Sequence, residues 1–294
     1  MTWELSLTGL LIGLLVGVTG MGGGSLMTPI LILFFGFKPT LAVGTDILHG
    51  AVFKTFGAVQ HRRLGTVHAR MTFWMFLASG PMSLAGVQTA EWLQRHYGDG
   101  VESTSAKVIG AALVLCGLGF LAKTFLNRGA RPNDAPFLLT NRDRVISFVL
   151  GAVGGYIVGL TSVGSGTFFA LVMLLIFPLT AAKIVGTDIF HAAALLWVAG
   201  LAHLIHGNVD LGAMAWLLLG SAPGIILGSR LTVRLPERSL RVALATVLFA
   251  SGLRLVEAPA YDILVPVVLV AGAALAALVE FRRLNGRVAQ IDPV

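Results

Sequence analysis

Moved along itself by 142 residues, the chain matches without a gap. Val43-Gly44-Thr45-Asp46-Ile47-Leu48-His49 falls on Val185-Gly186-Thr187-Asp188-Ile189-Phe190-His191. Gly13, Gly17, Thr19, Gly22 and Gly24 fall on Gly155, Gly159, Thr161, Gly164 and Gly166. Further on, His61, Gly65, Trp74, Ser79, Pro81 and Gly86 fall on His203, Gly207, Trp216, Ser221, Pro223 and Gly228. Shared composition can align glycines, but not a tryptophan, a proline and a VGTDI-x-H run at one offset. The fold must therefore be buildable from one unit used twice, which is a common way to build a membrane transporter.

The unit is made for lipid. Only 12% of the residues are charged and 56% are hydrophobic, whereas soluble domains carry about 25% charge. Seven apolar segments are long enough to span a bilayer: 40–60, 72–93, 105–126, 182–205, 211–231, 239–255 and 261–281. Two more, 5–37 and 145–177, are broken in the middle by small residues, TGMGGGS at 19–25 and TSVGSGT at 161–167. A limb such as 25–35 covers only ~16 Å at 1.5 Å per residue, too little for a ~30 Å hydrocarbon core. Each broken segment is read as a re-entrant hairpin that enters and leaves on one side.

Charge sets the orientation. Counting Lys and Arg against Asp and Glu, segments 61–71, 122–144 and 230–241 are each +3, and the tail from Glu280 is +1. Segments 206–210 and 252–262 are each −1, as is 94–104 taken with Glu91 and Lys107. If neither hairpin crosses, all positive segments share one side, which the positive-inside rule makes cytoplasmic. Three spans separate the hairpins, so the first enters from outside and the second from the cytoplasm. The expected fold is an all-α integral membrane protein of two inverted repeats, with about seven transmembrane helices plus the two hairpins. Residues 1–128 form the first repeat, 129–144 a cytoplasmic linker and 145–294 the second repeat. The N-terminus is expected outside and the C-terminus in the cytoplasm. The net charge of +7 thus belongs to cytoplasmic loops and not to a nucleic-acid surface. The single Cys116 cannot form an internal disulfide.

The hairpin tips carry the candidate chemistry. Where a half-helix restarts at mid-membrane, its first N–H groups lack intrahelical partners and its end bears partial positive charge. Such an end favours an anion. Gly22, Gly23 and Gly24 allow close approach to the backbone; N–H donors are expected from Gly23, Gly24, Ser25, Ser165, Gly166 and Thr167, with hydroxyls from Thr19, Ser25, Thr45, Thr161, Ser162 and Thr187. Gly13, Gly17, Gly155 and Gly159 are expected to serve close helix packing. Ionisable residues inside spans are functional suspects by default. They are Lys54, a charge partner for an anion, and Asp46, His49, Asp188 and His191, read as proton-coupling or gating residues. Bracing of the neighbouring hairpin is an equal alternative for the aspartates. Lys54 has no repeat mate, since Leu196 takes its place.

The motif Gly20-Met21-Gly22-Gly23-Gly24-Ser25-Leu26-Met27-Thr28-Pro29, followed by Ala42-Val43-Gly44-Thr45, resembles the TauE/SafE sulfite-exporter-like permeases. A weaker copy ends in Val185-Gly186-Thr187, and its tip has Gly164-Ser165-Gly166 where the first has three glycines. The resemblance implies a multi-pass transporter of the bacterial inner membrane, an exporter of small sulfur-containing anions such as sulfite, thiosulfate, sulfoacetate or other organosulfonates. A divalent metal-ion transporter using the two Asp–His pairs is the alternative. No enzyme is expected: H-E-x-x-H is absent, and Ser165 does not sit in a G-x-S-G motif. No cofactor and no resident metal are expected. The expected partners are the anion and the bilayer, with a homodimer as an option.

Overall fold

A computed structural model of the chain describes residues 2–19, 24–97, 99–125, 138–166, 168–231 and 237–291. Gly22, Gly23 and Thr167 lie outside these residues, and the side chains of Thr19 and Ser25 are likewise not described. The described residues form an all-helical membrane protein. Its first half contains α1 (Thr2–Thr19), α2 (Gly24–Phe35), α3 (Pro39–Arg63), α4 (Ala69–Tyr97) and α5 (Asp99–Phe125). The second contains α6 (Asn141–Thr161), α7 (Phe168–Ile176), α8 (Ala181–Ile205), α9 (Leu211–Leu231), α10 (Glu237–Leu255) and α11 (Tyr261–Ile291). Asn141–Thr161, Lys183–Ile205 and Tyr261–Leu278 are long and apolar enough to cross a membrane by length and composition. Large apolar side chains such as Trp3, Phe34, Phe56, Leu115 and Val270 are exposed on the outside. That face is matched to lipid, not to water.

Several starts and stops follow from local chemistry. Pro39 occupies the first turn of α3, where its missing N–H has no intrahelical partner to lose. Thr140 and Asp143 form a reciprocal capping box at the start of α6. At the other end, Ser162 takes a left-handed conformation (φ 62°) and its N–H returns to the carbonyl of Val158, closing α6. Gly164 (φ 103°) and Gly166 (φ 140°) then turn the chain through angles that a Cβ disfavours. This is why the second tip breaks where the sequence is small.

The two halves exchange contacts reciprocally. Gly13 on α1 meets the backbone of Ser221 on α9, and Gly155 on α6 meets the backbone of Ser79 on α4. Gly44 meets Asn208, and Gly186 meets Thr66. Each pair is the other moved by one repeat. None of these glycines leaves room for a Cβ against its neighbour, which is how small residues let membrane helices approach.

The same contacts fix helix directions. Gly9 and Gly13 meet Leu217 and Ser221, so α1 and α9 run parallel; Gly151, Gly155 and Gly159 meet Met75, Ser79 and Ser83, so α6 and α4 do too. The equivalent helices α3 and α8 run antiparallel, with Gly50 against Leu196, Gly57 against Ile189 and Gly200 against Leu48. Gly110 against Gly252 and Gly117 against Ala245 make α5 and α10 antiparallel as well.

Candidate functional site

The middle of α3 is where charge is buried. Its 25 residues place Asp46 and Lys54, two turns apart, on one face. Asp46 and Lys54 are 1% and 3% exposed, so both must be paired inside the protein. The Oδ2 of Asp46 accepts from Thr28 Oγ1 at 2.5 Å and from Ser162 Oγ at 2.8 Å. One carboxylate oxygen thus ties α2 and the second tip to α3. Its other oxygen, Oδ1, is buried without a hydrogen-bond partner among the described residues.

Lys54 reaches the same tip. Its Nζ donates to the backbone carbonyl of Ser165 and to Ser165 Oγ at 3.1 Å. The ammonium is also within Coulombic reach of Asp188 and Asp46. The lysine therefore bonds a carbonyl oxygen and feels the field of two carboxylates, which balances a cation that a dry interior would otherwise expel.

The histidines pair with serines across the repeats. His49 Nε2 lies 2.8 Å from Ser221 Oγ, and His191 Nε2 lies 2.8 Å from Ser79 Oγ. Each serine sits two residues before the repeated proline of its helix, Pro223 or Pro81. A cavity of about 10 Å³ opens between Asp46, His49, Lys54 and Ser221, walled by Gly13 and Phe53. It has room for about one water, so this is a closed arrangement.

The remaining candidates divide. Ser162 and Ser165 converge with Asp46 and Lys54. Gly166 does not present a free N–H, since it bonds the carbonyl of Gly164 at 2.7 Å, and Phe168 N–H follows at 3.3 Å. Thr161 donates back to Ile157 of its own helix. Thr45 and Thr187 point elsewhere: their Oγ1 atoms accept the N–H of Asp210 at 3.0 Å and of His68 at 2.9 Å. They clamp the turns before α9 and α4 at opposite ends of the bundle. Thr28, Ser79 and Ser221 were not among the sequence candidates, although Thr28 stands inside the quoted glycine motif and Ser79 and Ser221 are repeat mates.

An all-helical bundle with a lipid-matched exterior and a buried charge cluster where the turn between α6 and α7 meets a long helix is the build of a membrane transporter. Residues 5–255 match the family described as "Sulfite exporter TauE/SafE", and the chain belongs to it. It is 37% identical over 256 residues to "Probable membrane transporter protein YjnA" of Bacillus subtilis (strain 168), covering 87% of this chain and all of that protein. Two other B. subtilis proteins, "Probable membrane transporter protein YdhB" and "Probable membrane transporter protein YunE", are 24% and 25% identical. Those matches cover 83% and 86% of this chain and 96% of each relative. No solved structure matches this one.

Proposed function

We propose that the protein carries small sulfur-containing anions, such as sulfite, thiosulfate, sulfoacetate or other organosulfonates, outward across the bacterial inner membrane. The observation that carries this reading is the bond from Lys54 to the carbonyl of Ser165. A buried cation held by a hairpin tip is a charge partner that an arriving anion can recruit. The ion brings several acceptor oxygens and replaces the carbonyl as the lysine's partner. Release of Ser165 then frees the second tip to re-form, and the N–H groups around Gly166 become donors. Charge-assisted bonds of this kind contribute roughly 1.5–3 kcal/mol each.

The architecture proposed for this carrier is two inverted repeats with seven spans and two re-entrant hairpins, its N-terminus outside and its C-terminus in the cytoplasm. Antiparallel packing of the equivalent helices α3 and α8 supports inversion. The parallel course of α1 with α9, and of α6 with α4, supports the hairpins. With each hairpin returning to its own side, α1 and α3 descend together and α6 and α8 ascend together. The 12 residues of α2 and 9 of α7 give limbs of only ~18 Å and ~14 Å.

The test is thermal stabilisation of purified protein by sulfite, thiosulfate and sulfoacetate, each against chloride, with divalent metal chlorides as the competing arm. Stabilisation by a sulfur anion that disappears in Lys54→Gln is the expected result. Stabilisation by divalent cations alone, unchanged in Lys54→Gln, would overturn the anion reading in favour of metal transport.

A further inference from the structure

The helices that carry Lys54 and His191 also form a groove on their outer side, about 540 Å³ in volume. Small residues, Ala58 on α3 and Ala193 and Ala194 on α8, make its floor, and Val59 stands beside them. One end is closed by Trp197, whose indole Nε1–H donates to Thr55 Oγ1 at 2.9 Å. The other end opens at the last turn of α3, where Arg62 and Arg63 are exposed. The guanidinium of Arg62 stands 5.7 Å from the centre of the Phe190 ring on α8, within the range of a cation–π contact. From Thr55 to Arg62 the groove runs ~11 Å along the helix axis. It is apolar for its length and doubly cationic at one mouth.

That charge has no counterpart in the other half. The repeat mates of Arg62 and Arg63 are Leu204 and Ile205, and the mate of Phe190 is Leu48. The symmetry-related end of the α3–α8 interface therefore offers apolar contact but no cation. Packing of the two helices does not require the arginines, since the equivalent end packs without them. Basic pockets between membrane helices on the cytoplasmic side are suited to anionic headgroups, and a planar guanidinium pair suits a phosphate in particular. We infer that this groove is a binding site for an anionic diacyl phospholipid, with an acyl chain along Ala58, Ala193 and Ala194 and the phosphate on Arg62 and Arg63. Its assignment to the cytoplasmic leaflet rests on the topology proposed above; the identity of the transported anion does not enter. Because α3 and α8 carry the buried charges on their inner sides, a lipid seated here braces the two helices that bear the transport site.

The experiment uses the full chain, purified and delipidated in a neutral detergent, titrated with phosphatidylglycerol or with phosphatidylcholine of the same acyl chains. Bound lipid is counted by native mass spectrometry. A soluble glycerophosphate supplies the head alone. The expected result is retention of phosphatidylglycerol over phosphatidylcholine, with the preference reduced roughly thirtyfold in Arg62→Gln/Arg63→Gln, at about tenfold per 1.4 kcal/mol and about 1 kcal/mol per basic residue. Arg142→Gln, which removes an exposed arginine at the start of α6 outside the groove, is expected to keep the preference. Filling the groove with Ala194→Phe, or from the opposite wall with Ala58→Leu, is expected to expel the lipid with both arginines in place. An equal loss in Arg142→Gln would show a general cationic belt and overturn the site. So would full retention in both groove-filled variants, equal binding of phosphatidylcholine, or glycerophosphate competing as strongly as the lipid. A failure here with sulfur-anion stabilisation intact would leave the transport reading standing.

Discussion

Lys54 donates to the backbone carbonyl of Ser165, so the centre of the third helix is fastened to the turn between α6 and α7, 111 residues further along the chain. The lysine also feels the charges of Asp188 and Asp46. Removing one member of such a buried set leaves its partners without compensation, at a cost of roughly 3–5 kcal/mol. Lys54→Met is therefore expected to lower the thermal midpoint sharply. Adding Asp46→Asn removes one of the stranded charges and recovers part of that loss. A double-mutant cycle by thermal unfolding measures the coupling; strictly additive effects would mean that the two side chains do not sense each other.

The His–Ser pairs give a second test, because geometry makes them equal and their surroundings do not. His49–Ser221 and His191–Ser79 have the same 2.8 Å separation. Ser221→Ala and Ser79→Ala should each cost about 1–3 kcal/mol, the penalty for stranding a buried polar group. Only Ser221 lines the small cavity with Asp46 and Lys54. Transport in proteoliposomes should therefore fall further in Ser221→Ala than in Ser79→Ala at matched stability. Equal transport losses would place the cavity outside the path.

Much of this was legible in the sequence, for physical reasons that also mark where reading stopped. Apolar segments separated by charge mark helices in lipid, and all seven fall on helices. The helices run further than the segments, α4 to Tyr97 and α11 to Ile291, because backbone bonding continues past the apolar core into water. The shared face of Asp46 and Lys54 follows from helical period alone. The same period separates Thr45 from its neighbour Asp46 by about 100°, so one faces the site and the other holds a turn. The partners of the histidines could not be read, since 172 and 112 residues separate His49 from Ser221 and His191 from Ser79. The repeat did pair the two serines with each other, and that was the available signal. The sequence predicts an open Gly166 N–H at the tip, but a tight turn bonds it to Gly164, because backbone at membrane depth has to find its partners within the protein.

The tip also predicts a stability effect that is independent of ligand. Gly164 has φ 103°, and a Cβ there is strained whatever space surrounds it. Gly164→Ala should destabilise the protein by roughly 1–3 kcal/mol, whereas Gly80→Ala, with only the Phe76 ring at ordinary contact distance, should sit within about 1 kcal/mol of the parent on either side. Thermal unfolding of the two variants side by side checks this. A tip that tolerates alanine better than Gly80 does would mean that its turn has another conformation in the folded protein.

Topology can be read by chemical labelling. In a Cys116→Ser background, Leu64→Cys and His206→Cys place one thiol on each of two exposed, repeat-equivalent turns. Inverted repeats put these turns on opposite faces of the membrane. In inside-out vesicles a membrane-impermeant maleimide should label position 64 and not 206; in intact spheroplasts the pattern should reverse. Labelling of both positions from one side would make the repeats parallel.

The last prediction separates the two roles of Asp46. Its Oδ2 gathers hydroxyls from Thr28 and Ser162, which is bracing, while Oδ1 is buried without a hydrogen-bond partner among the described residues, which leaves a position where a proton can reside. Asparagine keeps a carbonyl oxygen for the two hydroxyls but cannot gain or lose a charge. If the carboxylate moves protons, Asp46→Asn should retain sulfur-anion binding and fold near the parent's stability, yet lose the pH-dependence of transport. If the carboxylate only braces, Thr28→Val and Ser162→Ala should each cost about 1–3 kcal/mol, Asp46→Asn should stay nearer the parent because it keeps an acceptor for both hydroxyls, and pH-dependence should survive in Asp46→Asn. Anion-driven transport measured across a pH series in proteoliposomes, with the same four proteins melted in parallel, decides between them. A flat pH profile in Asp46→Asn beside an ordinary one in Thr28→Val and Ser162→Ala assigns the proton to Asp46. Three matching profiles, shifted only in proportion to lost stability, assign it the brace alone.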